Sequence, residues 1–305
     1  VRILATLFVF LKISSSAFSF VEKDSSIIYK KRLNTVIAAQ TVLTGTSFLA
    51  LNELWYKDFR QSKFTFFNDN KEWLQMDKIG HLYTAYHLTG YGASIYRWSG
   101  VESDKSILWS GVTSFSYLLG IEILDGFSAK WGFSWGDILA NSCGVAIAIG
   151  QNQLGIDDYF TLKFSFSQSG YAQLRPNLLG KTYAEQILKD YNGQSYWLSL
   201  SPSSIFKINK SWFPKWLNLA LGYSGDGMIA ARNGQIVEIN LGNSIYYFKA
   251  QHTRQFYLSL DIDLRKIPVK NSFLKNVFYA INILKIPAPA LEINKYGSRF
   301  HYLYY

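Results

Sequence analysis

Three short stretches of the chain carry residues whose types and spacing could do chemistry. "DKIGH" holds Asp77, Lys78 and His81, and a separation of four puts Asp77 and His81 on one helical face. "EILD" holds Glu122 and Asp125, one helical turn apart. "SWGDILAN" holds Ser134 at the N-cap spacing from Asp137, with Asn141 a turn further on the face of Asp137. One imidazole with several carboxylates suits zinc or iron, so His81, Glu122, Asp125 and Asp137 are the candidate metal ligands. The same four are the candidate catalytic groups for acid–base work on a lipid or glycan. A third reading needs no ligand: Asp77, Lys78, His81, Glu122, Asp125, Ser134, Asp137 and Asn141 form one buried hydrogen-bonded network. In it Lys78 neutralises acids and His81 bridges them.

The spacing matches no sharp signature, because neither HExxH nor a Glu-x-x-His pair occurs. No nucleophile elbow, P-loop or dinucleotide fingerprint is present. "GYSGDG" at 222–227 reads as a hairpin turn. His87 lies off the His81 face and reads as a packing or interfacial histidine.

The elements that must position these groups fall into two parts, changing character near Asp157. Before it, apolar runs mixed with small residues predict helices over 33–57, 74–98, 105–124 and 135–150. Gly126 ends the third, and "FSAKWGFSWGD" is a loop. Two of these helices are comparable in length with a membrane crossing, yet they carry Glu53 and Glu122, which disfavours free exposure to lipid. After Asp157 the pattern alternates. In "YFTLKFSFSQ", Phe160, Leu162, Phe164 and Phe166 share one face and Thr161, Lys163, Ser165 and Ser167 the other. "RQFYLSLDIDLRK" repeats the pattern, and "SYWLSLSP", "WLNLALGYSG", "IVEINLG", "SIYYFKAQ" and "RFHYLYY" are shorter examples. "KTYAEQILKDY" and "SFLKNVFYAINILKI" read as helices and "IPAPALEI" as an extended linker.

The expected class is therefore α+β: an N-terminal four-helix apolar bundle, then six to eight antiparallel strands forming a small outer-membrane β-barrel or barrel-like sheet. Residues 1–19, "VRILATLFVFLKISSSAFS", read as a cleaved signal peptide. Residues 20–156 form the helical domain and 157–305 the membrane-associated β-rich region. No Cys follows the apolar core, so no lipid-anchor site is expected there. The single Cys143 excludes an internal disulfide and reads as a small buried residue.

Aromatics make up 17% of the 305 residues and charged residues only 17%, with a net charge of +10. The basic residues are scattered, the densest run being "YKKR" at 29–32, which argues against nucleic acid and suits anionic lipid.

"DKIGHLYTAY" followed by "EILDGFSAKWGFSWGDILAN" resembles the YfiM-like family of predicted periplasmic lipoproteins of unknown function. The family's Asp-Lys-x-x-His, Glu-x-x-Asp and Ser-Trp-x-Asp stretches fall on Asp77, Lys78 and His81, on Glu122 and Asp125, and on Ser134, Trp135 and Asp137. The Asp-Lys-x-x-His stretch alone also resembles VanZ-like membrane proteins. The chain lacks the lipoprotein cysteine, and its β-rich C-terminal part looks like the longer form of Bacteroidota-type envelopes. The resemblance implies a compartment and no reaction.

The sequence thus predicts a non-enzymatic outer-membrane or cell-envelope protein without a cofactor, an accessory subunit of a secretion or barrel-assembly machine. Its expected partners are outer-membrane lipid and other outer-membrane or periplasmic subunits, with the helical part periplasmic or within the membrane. The alternative is a metal-dependent or acid–base envelope enzyme. A weaker one is a small-solute barrel lined by Tyr257, Asp261 and Asp263.

Overall fold

The computed structural model describes residues 28–56, 61–241 and 244–304, and the signal-like segment lies outside them. Contacts divide the chain into two units that interleave in sequence: Val1–Asp69, His81–Ile156 and Pro268–Ala280 form one, and Asn70–Gly80, Asp157–Ile267 and Ile281–Tyr305 the other.

The first unit is helical. Helix α1, Lys30–Leu51, runs into a π-helical turn, Asn52–Tyr56. Helix α2 is Met76–Trp98, of which the part from His81 onward belongs to this unit, α3 is Ser103–Gly126 and α4 Trp135–Leu154. Along α3 the buried residues Ser106, Ser110, Ser114, Leu118, Glu122 and Gly126 recur every four positions. That row is a ridge of mostly small side chains, which lets neighbouring backbones come close. A Cβ on Gly92 would lie 2.2 Å from Ser110 Oγ, and one on Gly144 would lie 2.2 Å from the Leu82 carbonyl oxygen. These two glycines therefore set how near α2 approaches α3 and α4. Ser134 caps α4 by accepting from Asp137 N at 3.2 Å, and Gly155, at φ 63°, closes it in the left-handed region.

Large apolar side chains point outward on this unit, among them Val42, Leu49, Trp109 and Leu139. By length and composition α3 could cross a membrane. A cleft of about 450 Å³ opens between Gly45, Phe48, Tyr56, Gly120, Leu124 and Phe127. Cys143 is exposed, not buried as expected, because the inward face of α4 is taken by Ala140, Asn141 and Gly144.

The second unit is built on an antiparallel sheet in the order β1-β2-β3-β6-β7-β8. Its strands are β1 Phe160–Phe166, β2 Gln194–Leu200, β3 Leu217–Asp226, β6 Thr253–Ile262, β7 Ala288–Asn294 and β8 Gly297–Tyr304. A separate hairpin pairs β4, Ile236–Leu241, with β5, Ser244–Lys249. The alternation is real but inverted relative to a water-soluble sheet. On β6 Tyr257, Ser259 and Asp261 are buried, while Phe256, Leu258 and Leu260 are 53%, 42% and 50% exposed. The buried polar face is filled by its own partners. Lys163 Nζ meets Asp261 Oδ2 at 2.8 Å, Ser199 Oγ donates to the same oxygen at 2.6 Å, and Tyr304 OH donates to Tyr257 OH at 2.9 Å.

Three expectations are corrected here. The sheet is open, not closed into a barrel. β1 and β8 stand at its two ends and are not paired with each other, so the antiparallel class holds without closure. "GYSGDG" is no turn: its first five residues lie inside β3, where Gly222 faces Trp197 and a Cβ would meet the indole at 2.5 Å. "IPAPALEI" is no linker, because β7 begins at Ala288. A register shift between Ala288 and Ala290 accommodates Pro289, which has no N–H to give a ladder.

Candidate functional site

The predicted groups gather at one end of the helical unit, where the start of α4 and the C-terminal part of α3 meet His81 of α2. His81 Nδ1 lies 3.1 Å from Asn141 Oδ1. The carboxamide oxygen accepts, so Nδ1 donates and Nε2 faces the acids: Glu122 Oε1 at 3.6 Å and Asp137 Oδ1 at 4.0 Å. The close approach of Gly144 to Leu82 produces this arrangement, since Asn141 and Asp137 lie one and two turns before Gly144 on α4. Glu122, Asp137, Asn141 and Ser134 are all at most 4% exposed. Glu122 Oε2 accepts from Ser134 N at 3.3 Å. Glu122 Oε1 and Asn141 Nδ2 are buried without a hydrogen bond. Burial lifts the Glu122 carboxyl to about 8, His81 opposes the rise, and Asp137 and Asp125 add to it.

Three further residues of the expected network have hydrogen-bond or ion-pair partners of their own. Asp125 accepts from Tyr56 OH at 2.9 Å, and burial together with this carboxylate raises the phenol. Asp77 and Lys78 belong to the other unit. There Asp77 accepts from Tyr191 OH at 2.6 Å and pairs with Lys78 Nζ at 3.2 Å. Sequence reasoning missed Tyr56, and it missed Asp69, which accepts from Ser134 Oγ at 2.7 Å. Neither sits at a spacing that signals the contact. His87 packs among Tyr83, Tyr86 and Tyr91, with ring centroids at 4.5, 4.8 and 5.9 Å.

Residues 63–153 match the family DUF2279, described as predicted periplasmic lipoprotein. The match takes in all three stretches that build the site. It places the chain's likeness in an envelope family of unknown function and is specific neither to the YfiM-like branch nor to Bacteroidota. No curated protein and no solved structure matches the chain.

Chemically, the cluster offers one imidazole nitrogen and two shielded carboxylates converging from three helices. A neutral His81 presents a lone pair at Nε2, which can bind a cation or take a proton. A charged His81 is instead an ion-pair partner for the acids.

Proposed function

We propose that the protein is a non-enzymatic component of the cell envelope that rests in outer-membrane lipid through the apolar face of its sheet. The inverted alternation of the strands carries this reading. A soluble sheet buries its apolar face, whereas here the polar face is inside and partnered and the apolar face is outside. Leu219, Leu221, Phe256, Leu258, Leu260, Leu291 and Ile293 are all exposed on the sheet strands. Full burial of one such side chain is worth roughly 1.5–3 kcal/mol, so covering seven half-exposed ones stabilises by on the order of 5–10 kcal/mol. The net charge of +10 favours an anionic headgroup surface. The sheet rests in lipid and does not cross it. An open sheet edge is disfavoured in hydrocarbon, and among the described residues only β3 and β6, at 10 residues each, reach the roughly 9–11 that a crossing strand requires. The exposed edge strand β8 supports an accessory role in a secretion or barrel-assembly machine, because its free backbone groups can pair with another strand.

Membrane fractionation of the native host tests this. The protein is expected to stay with outer membranes through high salt and alkaline carbonate and to leave in mild detergent, together with other envelope proteins. Recovery in the soluble fraction without detergent overturns the lipid reading.

A second reading, an acid–base or metal-dependent enzyme acting on lipid or glycan, is favoured by the convergence of His81, Glu122 and Asp137. A His81→Ala strain with normal protein level discriminates: altered envelope lipid or glycan supports the enzyme, and an unchanged profile supports the first reading.

A further inference from the structure

We propose that His81, Glu122 and Asp137 bind one divalent transition-metal ion, of the Zn²⁺ type that takes a nitrogen and two oxygen donors. The inference is independent of the lipid reading.

The donors come from three helices: Glu122 Oε1 lies 3.6 Å and Asp137 Oδ1 4.0 Å from His81 Nε2, and ligand atoms of His81 and Asp137 fall within 4.8 Å of each other. A charge-assisted hydrogen bond would bring nitrogen and oxygen to about 2.7–2.9 Å. Two atoms sharing one ion through bonds of about 2.0–2.2 Å instead stand roughly 3–3.6 Å apart. The Glu122 spacing falls at the edge of the second range, and Asp137 needs to move by a few tenths of an ångström.

Glu122 supplies an independent sign. Its carboxylate is 1% exposed, and Oε1 points toward His81 without a hydrogen bond. A buried acceptor left in that state pays its desolvation without return, and a cation removes the cost. Asn141, fully buried, holds His81 Nδ1 at 3.1 Å. Metal-binding histidines have such a partner on the far nitrogen, which fixes the ring and leaves the near nitrogen for the ion. Three protein donors leave a fourth position for water. The capping of α4 by Ser134 fixes the backbone at Asp137, in the first turn of that helix.

The full chain, extracted in mild detergent without chelator, is analysed for metal by inductively coupled plasma mass spectrometry. It is then stripped and titrated with Co²⁺ and with Zn²⁺. Near one equivalent of metal is expected, with a visible Co²⁺ band that Zn²⁺ abolishes and a rise in melting temperature on metal addition. Glu122→Gln and Asp137→Asn are each expected to weaken Co²⁺ binding at least tenfold, and Asn141→Ala to weaken it less. A folded wild-type protein, checked by circular dichroism, that gives neither a Co²⁺ band nor a melting shift at millimolar metal overturns the proposal. So does Co²⁺ binding that is unchanged in folded Glu122→Gln and Asp137→Asn. The wild-type measurement stands even where a variant fails to fold.

Discussion

Gly144→Ala is a small change with a large expected consequence. By helix propensity alone alanine should stabilise α4 by about 0.8–1 kcal/mol over glycine. At Gly144 that gain is overruled by packing. The new Cβ would lie 2.2 Å from the Leu82 carbonyl oxygen and 2.8 Å from Ala85 Cβ. Carbon–oxygen contacts between packed helices normally stand at about 3.3–3.6 Å, so α2 and α4 must part locally by about 1 Å. A contact this short against backbone belongs at the upper end of overpacking costs, about 2–3 kcal/mol, and with the propensity gain set against it the net loss is about 1–2 kcal/mol. Gly150, also on α4, has no atom within 4 Å of its Cβ position, so Gly150→Ala should gain the propensity term alone. Urea unfolding followed by circular dichroism in detergent should therefore move the two midpoints in opposite directions. Parting the helices also draws Asp137 and Asn141 away from His81, so Co²⁺ affinity should fall in Gly144→Ala and hold in Gly150→Ala. Equal stability of the two variants would refute the close approach on which the site geometry rests.

Lys163 and Asp261 form a fully buried pair at 2.8 Å, so Lys163→Met should leave the carboxylate with the more distant Lys285, at 4.0 Å, and cost no more than about 3 kcal/mol, the low end for a broken buried pair. Lys163→Met with Asp261→Leu should cost less than the single change, measured by the same unfolding assay. Burial lowers the Lys285 ammonium from 10.5 to about 8, against the pull of Asp261. Between those values the unfolded chain binds the extra proton, so stability should rise as pH climbs from about 8 toward 10.5, and Lys285→Met should flatten that rise. Trp73, Leu74 and Gln75 hold φ of 48°, 53° and 62°, a run that costs roughly 1–2 kcal/mol per residue. Arg254 clamps it by donating to the Leu74 carbonyl, so Arg254→Ala should speed amide exchange at residues 73–76 at least tenfold.

The periodic features were legible in the sequence. The four helices and the strand alternation follow from apolar spacing, and both survive in the structure with ends shifted by a few residues. The site was legible as types and faces: His81, Glu122 and Asp137 do meet. Asp125 stands one helical turn from Glu122 and adds to the rise of its carboxyl, but its hydrogen bond from Tyr56, sixty-nine positions away, has no local signal. Ser134 was read correctly as a cap, but its hydroxyl also donates to Asp69, a contact across sixty-five positions that no local pattern encodes. Closure of the sheet was illegible for a different reason. Alternation states which face a residue takes, and says nothing of whether the first and last strands of the sheet pair. Prolines misled at "IPAPALEI" because the irregular pairing at Pro289 accommodates the missing donor.

The two units differ in how they complete their buried polar groups, and that difference bears on which is scaffold and which is site. In the sheet unit Lys163 donates to the Ile262 carbonyl as well as meeting Asp261, Asn218 donates to Ser199, and Trp197 donates to Ser165. Asn218 Oδ1 is the exception among these. A network closed in this way rigidifies a fold and needs nothing from outside. In the helical unit the deepest carboxylate, Glu122, keeps one oxygen without a hydrogen bond, and Asn141 keeps its amide nitrogen so. Both atoms flank a histidine whose far nitrogen is already held. Were this cluster only a brace, leucine-sized apolar groups would pack the same space at less cost than a raised, half-satisfied acid. The arrangement is costly in the absence of a cation and inexpensive in its presence, which is why the helical unit, and not the better-satisfied sheet, is where a ligand should be sought.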